Sequence, residues 1–261
     1  MSLKPRVTQN QGMTNAALVK KAMDALFAHH SEEAMRSLYT QDYVQHNPGV
    51  PTGLDAVVAL LPTLSEMKLG YTLHRILEDG PLVATHTTYH NAQVFGAEKV
   101  VAFDLWRVEN GRVAEHWDSI IPLAGANPSG RTQTGGATEV SDRALGPGNK
   151  QIVEAFVREV LIGEDWSSAE TYVANDHYVQ HNPGVADGLR ALREAVQTLK
   201  IERIHRVVGE GNFVLTQSEG SWKGKPQAFY DLFRVEDSKI VEHWDVIQSV
   251  PDKMAHSNGM F

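Results

Sequence analysis

Tyr43-Val44-Gln45-His46-Asn47-Pro48-Gly49-Val50 recurs, letter for letter, as Tyr178-Val179-Gln180-His181-Asn182-Pro183-Gly184-Val185. A second pair of phrases follows in the same order: Asp104-Leu105-Trp106-Arg107-Val108 running to Glu115-His116-Trp117-Asp118, and Asp231-Leu232-Phe233-Arg234-Val235 running to Glu242-His243-Trp244-Asp245. The chain is therefore a tandem repeat of domain-sized period, which fixes the domain number better than its 261 residues do. The offset between copies is 135 at the first phrase (181 − 46), 131 at His74 and His205, and 127 at the last (243 − 116). Two four-residue deletions in the second copy account for both steps, one between Val185 and His205 and one between Thr216 and Tyr230. Loops and hairpin ends vary in this way.

Within each copy the order of patterns is the same. Residues 15–28 carry Leu18, Met23, Leu26 and Phe27 at roughly helical spacing behind Thr14, a candidate N-cap. A second short helix covers 32–39, proline and glycine of the Gln-His-Asn-Pro-Gly phrase stop it, and a third helix lies near 54–64. After Gly70 the pattern turns to strands at 71–77, 82–95, 100–108 and 112–121, separated by Asp79-Gly80, Gly96 and Asn110-Gly111. Helices followed by an antiparallel meander make an α+β domain. Residues 122–148 hold few large apolar side chains and several glycines, so they read as a linker between domains at 14–121 and 149–250.

Composition narrows the function classes. With 42% hydrophobic and 21% charged residues, the chain is an ordinary globular one with enough apolar material for two cores. No stretch reads as a membrane span, residues 1–13 lack the apolar core of a secretion signal, and a cytoplasmic location is the default expectation. The lack of cysteine excludes disulfides, thiolate nucleophiles and cysteine-ligated metal sites. A net charge of −8, with no basic cluster interleaved with aromatics, argues against nucleic acid and for a small-molecule ligand.

The last hairpin sorts the polar residues by face. Reading Glu109-Asn110-Gly111 as a three-residue loop pairs Val108 with Arg112, Trp106 with Ala114 and Asp104 with His116, with Asp118 diagonally beyond. Opposed side chains sit ~5 Å apart at Cβ, close enough for a carboxylate to orient an imidazole. The other face then holds Phe103, Leu105, Arg107, Val113, Glu115 and Trp117, with Arg107 and Glu115 as a structural ion pair. A two-residue Asn110-Gly111 turn would instead set Asp104 opposite Trp117. The first register is preferred because it separates a titratable face from a mainly apolar one; in the second copy that face is Asp231, His243 and Asp245.

These phrases resemble the hallmarks of SnoaL-like proteins, the polyketide cyclase family within the nuclear transport factor two-like superfamily, over nearly everything outside the N-terminal tail and the linker. The resemblance implies two tandem cone-shaped barrels, each a curved antiparallel sheet covered by helices around one deep pocket. It also implies cofactor-independent acid/base chemistry next to a carbonyl, as aldol cyclisation or isomerisation. A base must take a proton α to the carbonyl and a donor must hold the developing oxyanion. By resemblance the acid/base carboxylate falls on Asp118, and on Asp245 in the second copy. His116 (His243) is then oxyanion donor or proton shuttle, and Asp104 (Asp231) its orienter. Substrate-binding candidates are His46, Asn47, Trp106 and His86, with counterparts His181, Asn182, Phe233 and Gln217; the exchange of His86 for Gln217 makes the two sites unequal.

Blander readings stand beside these. The His-Asn-Pro phrase can cap a helix or close a turn through side-chain to backbone bonds, and a non-catalytic binding module of the same fold is the alternative function. His74, His86, His90 and His116 lack tight ligand spacing, so no metal is expected. Phe103, Leu105 and Trp117, with Tyr230, Leu232 and Trp244, would leave apolar faces open in isolated domains, so the two sheets are expected to pack face to face as an intramolecular pseudo-dimer.

Overall fold

The computed structural model describes residues 12–174 and 177–261. The first copy runs α1 (Asn15–Met23), α2 (Glu32–Leu38), β1 (Tyr39–Gln45), α3 (Leu54–Val58), α4 (Leu61–Glu66), β2 (Gly70–Asp79), β3 (Leu82–His90), β4 (Lys99–Glu109) and β5 (Arg112–Pro122). The second runs α5 (Gly146–Phe156), α6 (Ala169–Tyr172), β6 (Val179–Gln180), α7 (Leu189–Ala195), β7 (Leu199–Glu210), β8 (Phe213–Trp222), β9 (Lys225–Glu236) and β10 (Lys239–Ser249). Thr14 caps α1, its hydroxyl accepting the Ala17 N–H at 3.2 Å. Past Met23 the helix widens into a π turn at Asp24–Ala28, as α5 does at Val157–Ile162. The expected helix at 54–64 is two short ones, α3 and α4.

Each copy forms one five-stranded sheet, ordered β1-β5-β4-β3-β2 and β6-β10-β9-β8-β7. Four strands form the expected antiparallel meander; the first edge strand, which carries Tyr43 to Gln45, was not expected and pairs parallel with β5. Helices cover one face, where Val19, Met23, Phe27, Leu54, Leu61, Val100 and Trp106 make the first core. The opposite faces of the two sheets meet in a second, shared core of Phe103, Leu105, Trp117, Tyr230, Leu232 and Trp244. The face-to-face pairing is the one the apolar faces called for.

The register of the last hairpin corrects the expected one. Glu109 pairs with Arg112 across a two-residue turn, with Asn110 and Gly111 both at positive φ (49° and 72°), the pattern of a type I′ turn. A bulge then leaves Ala114 unpaired between Val113 and Glu115, so Trp106 faces His116 and Asp104 faces Asp118. The bulge restores the parity that a bare two-residue turn would have lost: Asp104, His116 and Asp118 do share a face. It also moves Val113 to the helix-covered side, beside Val108. The second copy repeats the geometry with Asp237 and Ser238 at positive φ, giving Phe233 opposite His243 and Asp231 opposite Asp245.

The halves are bound by reciprocal contacts. Arg75 of the first lies 4.2 Å from the Trp244 ring of the second, and Arg206 of the second 3.8 Å from Trp117 of the first. The stretch between β5 and α5 crosses to the second half, where buried Asn127 donates to the carbonyls of Gln180 and Val185. Conversely, residues after β10 return to the first half, where Asn258 donates to Gln45 O and Met260 is buried. Side-chain amides and backbone anchor the former stretch together with a few apolar groups such as Leu123 and Val140, which explains its unpromising composition.

Candidate functional sites

β1 and β5 place the first site. Alternation along β1 and beyond sends Gln45 and Asn47 into the helix-covered cavity and His46 the other way. The cavity, about 280 Å³, is lined by Phe27, Leu60, Leu64, Phe95 and Trp106 and floored by His116 and Asp118. In the second half Gln180, Asn182, Phe233, His243, Asp245 and Asp231 border a cavity of about 540 Å³. It is larger because the two deletions remove wall. The second half replaces α4 with one short turn at Val196–Thr198, and a two-residue turn at Lys223 and Gly224 replaces the loop that carries Val94 and Phe95.

Hydrogen bonding fixes the imidazole. Gln45 Oε1 receives the backbone N–H groups of His46 and Asn47, each at 2.9 Å, so it is an acceptor and His116 Nδ1, also 2.9 Å away, donates to it. His116 Nε2 shares a proton with Asp104 Oδ1 at 3.2 Å. Asp104 also receives the Tyr89 hydroxyl at 3.1 Å and Thr85 at 3.3 Å, and Trp106 Nε1 donates to Thr85. Gln180, His243 and Asp231 repeat the first two links at 3.0 and 3.1 Å.

Asp118 is the carboxylate that borders the first cavity. Asn47 Nδ2 donates to its Oδ2 at 2.8 Å, while Oδ1 is buried without a partner. Burial pushes the carboxyl up to about 6; His116 opposes that, Asp104 adds to it, and the Asn47 bond opposes it. Asp245 is likewise pushed up to about 6 by burial, but both its oxygens receive Asn182 Nδ2, at 2.9 and 2.8 Å. Asp104, His116 and Asp118, like their counterparts, lie within the 4.8 Å that could converge on a cation. As arranged, however, both His116 nitrogens are engaged, and the donors left do not make a ligand set.

Four predicted binding residues lie elsewhere. His46 stacks on Trp117 at 4.9 Å, with Nε2 on Glu115 and Nδ1 on Gly259 O, both at 2.9 Å; His181 repeats this with Trp244, Glu242 and Thr132 O. The alternation that brings Asn47 inward turns its neighbour toward the interface. His86 and Gln217 are also at the interface, each accepting a bond from the arginine of its own half, Arg75 at 2.9 Å and Arg206 at 2.6 Å. Burial, and then Arg75, hold His86 far below its ordinary pKa, as suits a ring that accepts from a guanidinium. Asn47, Asn182, Trp106 and Phe233 do line the cavities.

Sequence reading missed Gln45, Tyr89 and Gln248. Gln248 belongs to the second half yet lines the first cavity: its Oε1 receives the Ile120 N–H at 2.8 Å, which leaves the Nε2 hydrogens to the pocket. The reciprocal residue in the second cavity is Ile121, which offers no donor.

A family model described as the SnoaL-like domain matches residues 19–116 and again 153–243. The chain belongs to the SnoaL-like family. Solved structures similar to one SnoaL-like unit include IdmH, a candidate polyketide cyclase of Streptomyces antibioticus, at 21% identity and TM-score 0.34, covering 40% of this chain and 88% of that one. An LEH-like epoxide hydrolase of M. tuberculosis is 25% identical with TM-score 0.33, covering 40% and 84%. A candidate ketosteroid isomerase of Kribbella flavida is 24% identical with TM-score 0.35, covering 48% and 90%. No curated protein matches. Among the described residues no helix is long and apolar enough to cross a membrane.

Proposed function

We propose that the first SnoaL-like pocket moves a proton at the carbon next to a carbonyl in a small, mainly apolar molecule, as an aldol-type ring closure or an isomerisation. The observation that carries this reading is Asp118 Oδ1, a buried carboxylate oxygen without a partner in an apolar cavity, on a group pushed up to about 6. A base near neutrality with one oxygen held by Asn47 and the other unpaired is poised for proton abstraction. Asp118 takes the α-proton, and the electron pair moves onto the carbonyl oxygen, which Gln248 Nε2 holds. For isomerisation, Asp118 returns the proton to another carbon. For ring closure, the enolate carbon attacks a second carbonyl, whose oxygen takes the proton. His116, with both nitrogens engaged by Gln45 and Asp104, is a positioning group: it holds the Gln45 amide whose oxygen fixes the backbone that carries Asn47, rather than donating to substrate.

In the second pocket both oxygens of Asp245 are engaged by Asn182 and the Gln248 position is Ile121. That favours the binding reading for this half, with Asp245, His243 and Asp231 keeping a scaffold that reacts more slowly. Deuterium incorporation next to the carbonyl of 1-tetralone in D₂O, followed by NMR, tests the assignment. Asp118→Asn is expected to lower the exchange by at least ~100-fold, the scale of a general base, and Asp245→Asn to leave most of it. Parental exchange by Asp118→Asn overturns the proposal.

A further inference from the structure

The two SnoaL-like units differ where the orienting carboxylate meets its cavity. In the first, Asp104 is fully covered: Tyr89, Thr85 and His116 all donate to it, and it does not border the cavity. In the second, the position of Tyr89 is Gly220, since Tyr89 pairs with Val100 and Gly220 with its counterpart Gln227. The glycine is enforced, because a Cβ there would lie 2.0 Å from Lys200 O. Trp106 is replaced by Phe233, so the threonine hydroxyl also loses its donor. Two buried atoms, Asp231 Oδ2 and Thr216 Oγ1, are consequently left without partners on directly opposed residues. Asp231 is 7% exposed and, unlike Asp104, borders its cavity.

A buried carboxylate oxygen without a donor is costly unless a ligand supplies one. Around it the second cavity offers Phe156, Leu161, Leu192, Phe229 and Phe233. We infer that the second pocket selects apolar ring compounds bearing a hydroxyl group, whose O–H bonds Asp231 Oδ2 in the place that the Tyr89 phenol occupies at Asp104. The selection concerns binding and is independent of whether either pocket transfers protons.

Isothermal titration of the intact chain with 2-naphthol and with 2-fluoronaphthalene, of matching shape but without the donor, reads the effect. At the site in the second pocket the naphthol is expected to bind at least ~10-fold more tightly, the scale of a hydrogen bond to a charged group. Asp231→Asn brings the two affinities together. Leu192→Trp, which puts a large ring into the second cavity and leaves the Asp231 carboxylate in the chain, removes the binding at this site and locates it even where the Asp231 variant folds poorly. Equal affinities in the parent chain, a preference kept by Asp231→Asn, unchanged binding to Leu192→Trp, or no saturable binding of either compound overturns the inference.

Discussion

Asp118 destabilises the fold it serves. Its carboxyl titrates near 6 when folded against an ordinary 3.8, so between those values the folded chain binds more protons than the unfolded one, and stability falls as pH rises through that window. The loss amounts to about 3 kcal/mol by pH 7. Asp118→Asn should therefore gain stability on the parent between pH 4 and pH 7; urea melts at the two pH values check this, and a difference that does not grow with pH contradicts it. Gln248→Leu is expected to cost about 1–2 kcal/mol in the melt, because the Ile120 N–H loses its acceptor, while slowing exchange in the first pocket by roughly 100-fold, the loss seen for an oxyanion donor; equal exchange would remove Gln248 from the site. The face shared by Asp104, His116 and Asp118 was legible in the sequence because parity along a strand survives a two-residue shift of register. His46 was not, because it sits beside Asn47 in the same duplicated phrase while strand alternation separates them. Tyr89 could have been found by aligning the copies, where it meets Gly220.

At the scale of elements, the bulge at Ala114 and the two crossing segments decide what the cavities contain. Sequence patterns placed β2 to β5 closely, yet β1 was hidden: a seven-residue strand that ends at Gln45 pairs parallel with β5, and parallel pairing leaves no hairpin signal. The stretch before α5 had the composition of a free linker but lies against the second half. Gly136 (φ 81°) is wedged there, and a Cβ would lie 2.0 Å from Glu242 Oε1. Gly136→Ala is expected to cost at least about 2 kcal/mol in chemical denaturation, from the strained φ and the clash together; an unperturbed midpoint contradicts that packing. Deleting residues 255–261 removes the bonds of Asn258 and Gly259 and the burial of Met260. About 2–4 kcal/mol should be lost, with the first half exchanging amide hydrogens faster near His46.

For the whole molecule, duplication does more than double a pocket. The shared core joins Phe103, Leu105 and Trp117 to Tyr230, Leu232 and Trp244, and each half lends its neighbour one cavity residue, Gln248 or Ile121. The tandem fold was legible from the repeated phrases, and the pairing of the sheets from their apolar faces. The exchange of residues was not, because neither copy's own pattern marks a side chain that serves the other. A chain ending at residue 122 is expected to self-associate through the uncovered sheet, and sedimentation showing a soluble, folded monomer would contradict this. The most direct test of the central claim is the pH dependence of deuterium incorporation into 1-tetralone by the intact chain. The rate should rise with pH through an apparent pKa of about 6 and be lost in Asp118→Asn. Exchange that is flat from pH 4 to 8, or that persists without the Asp118 carboxylate, would contradict it.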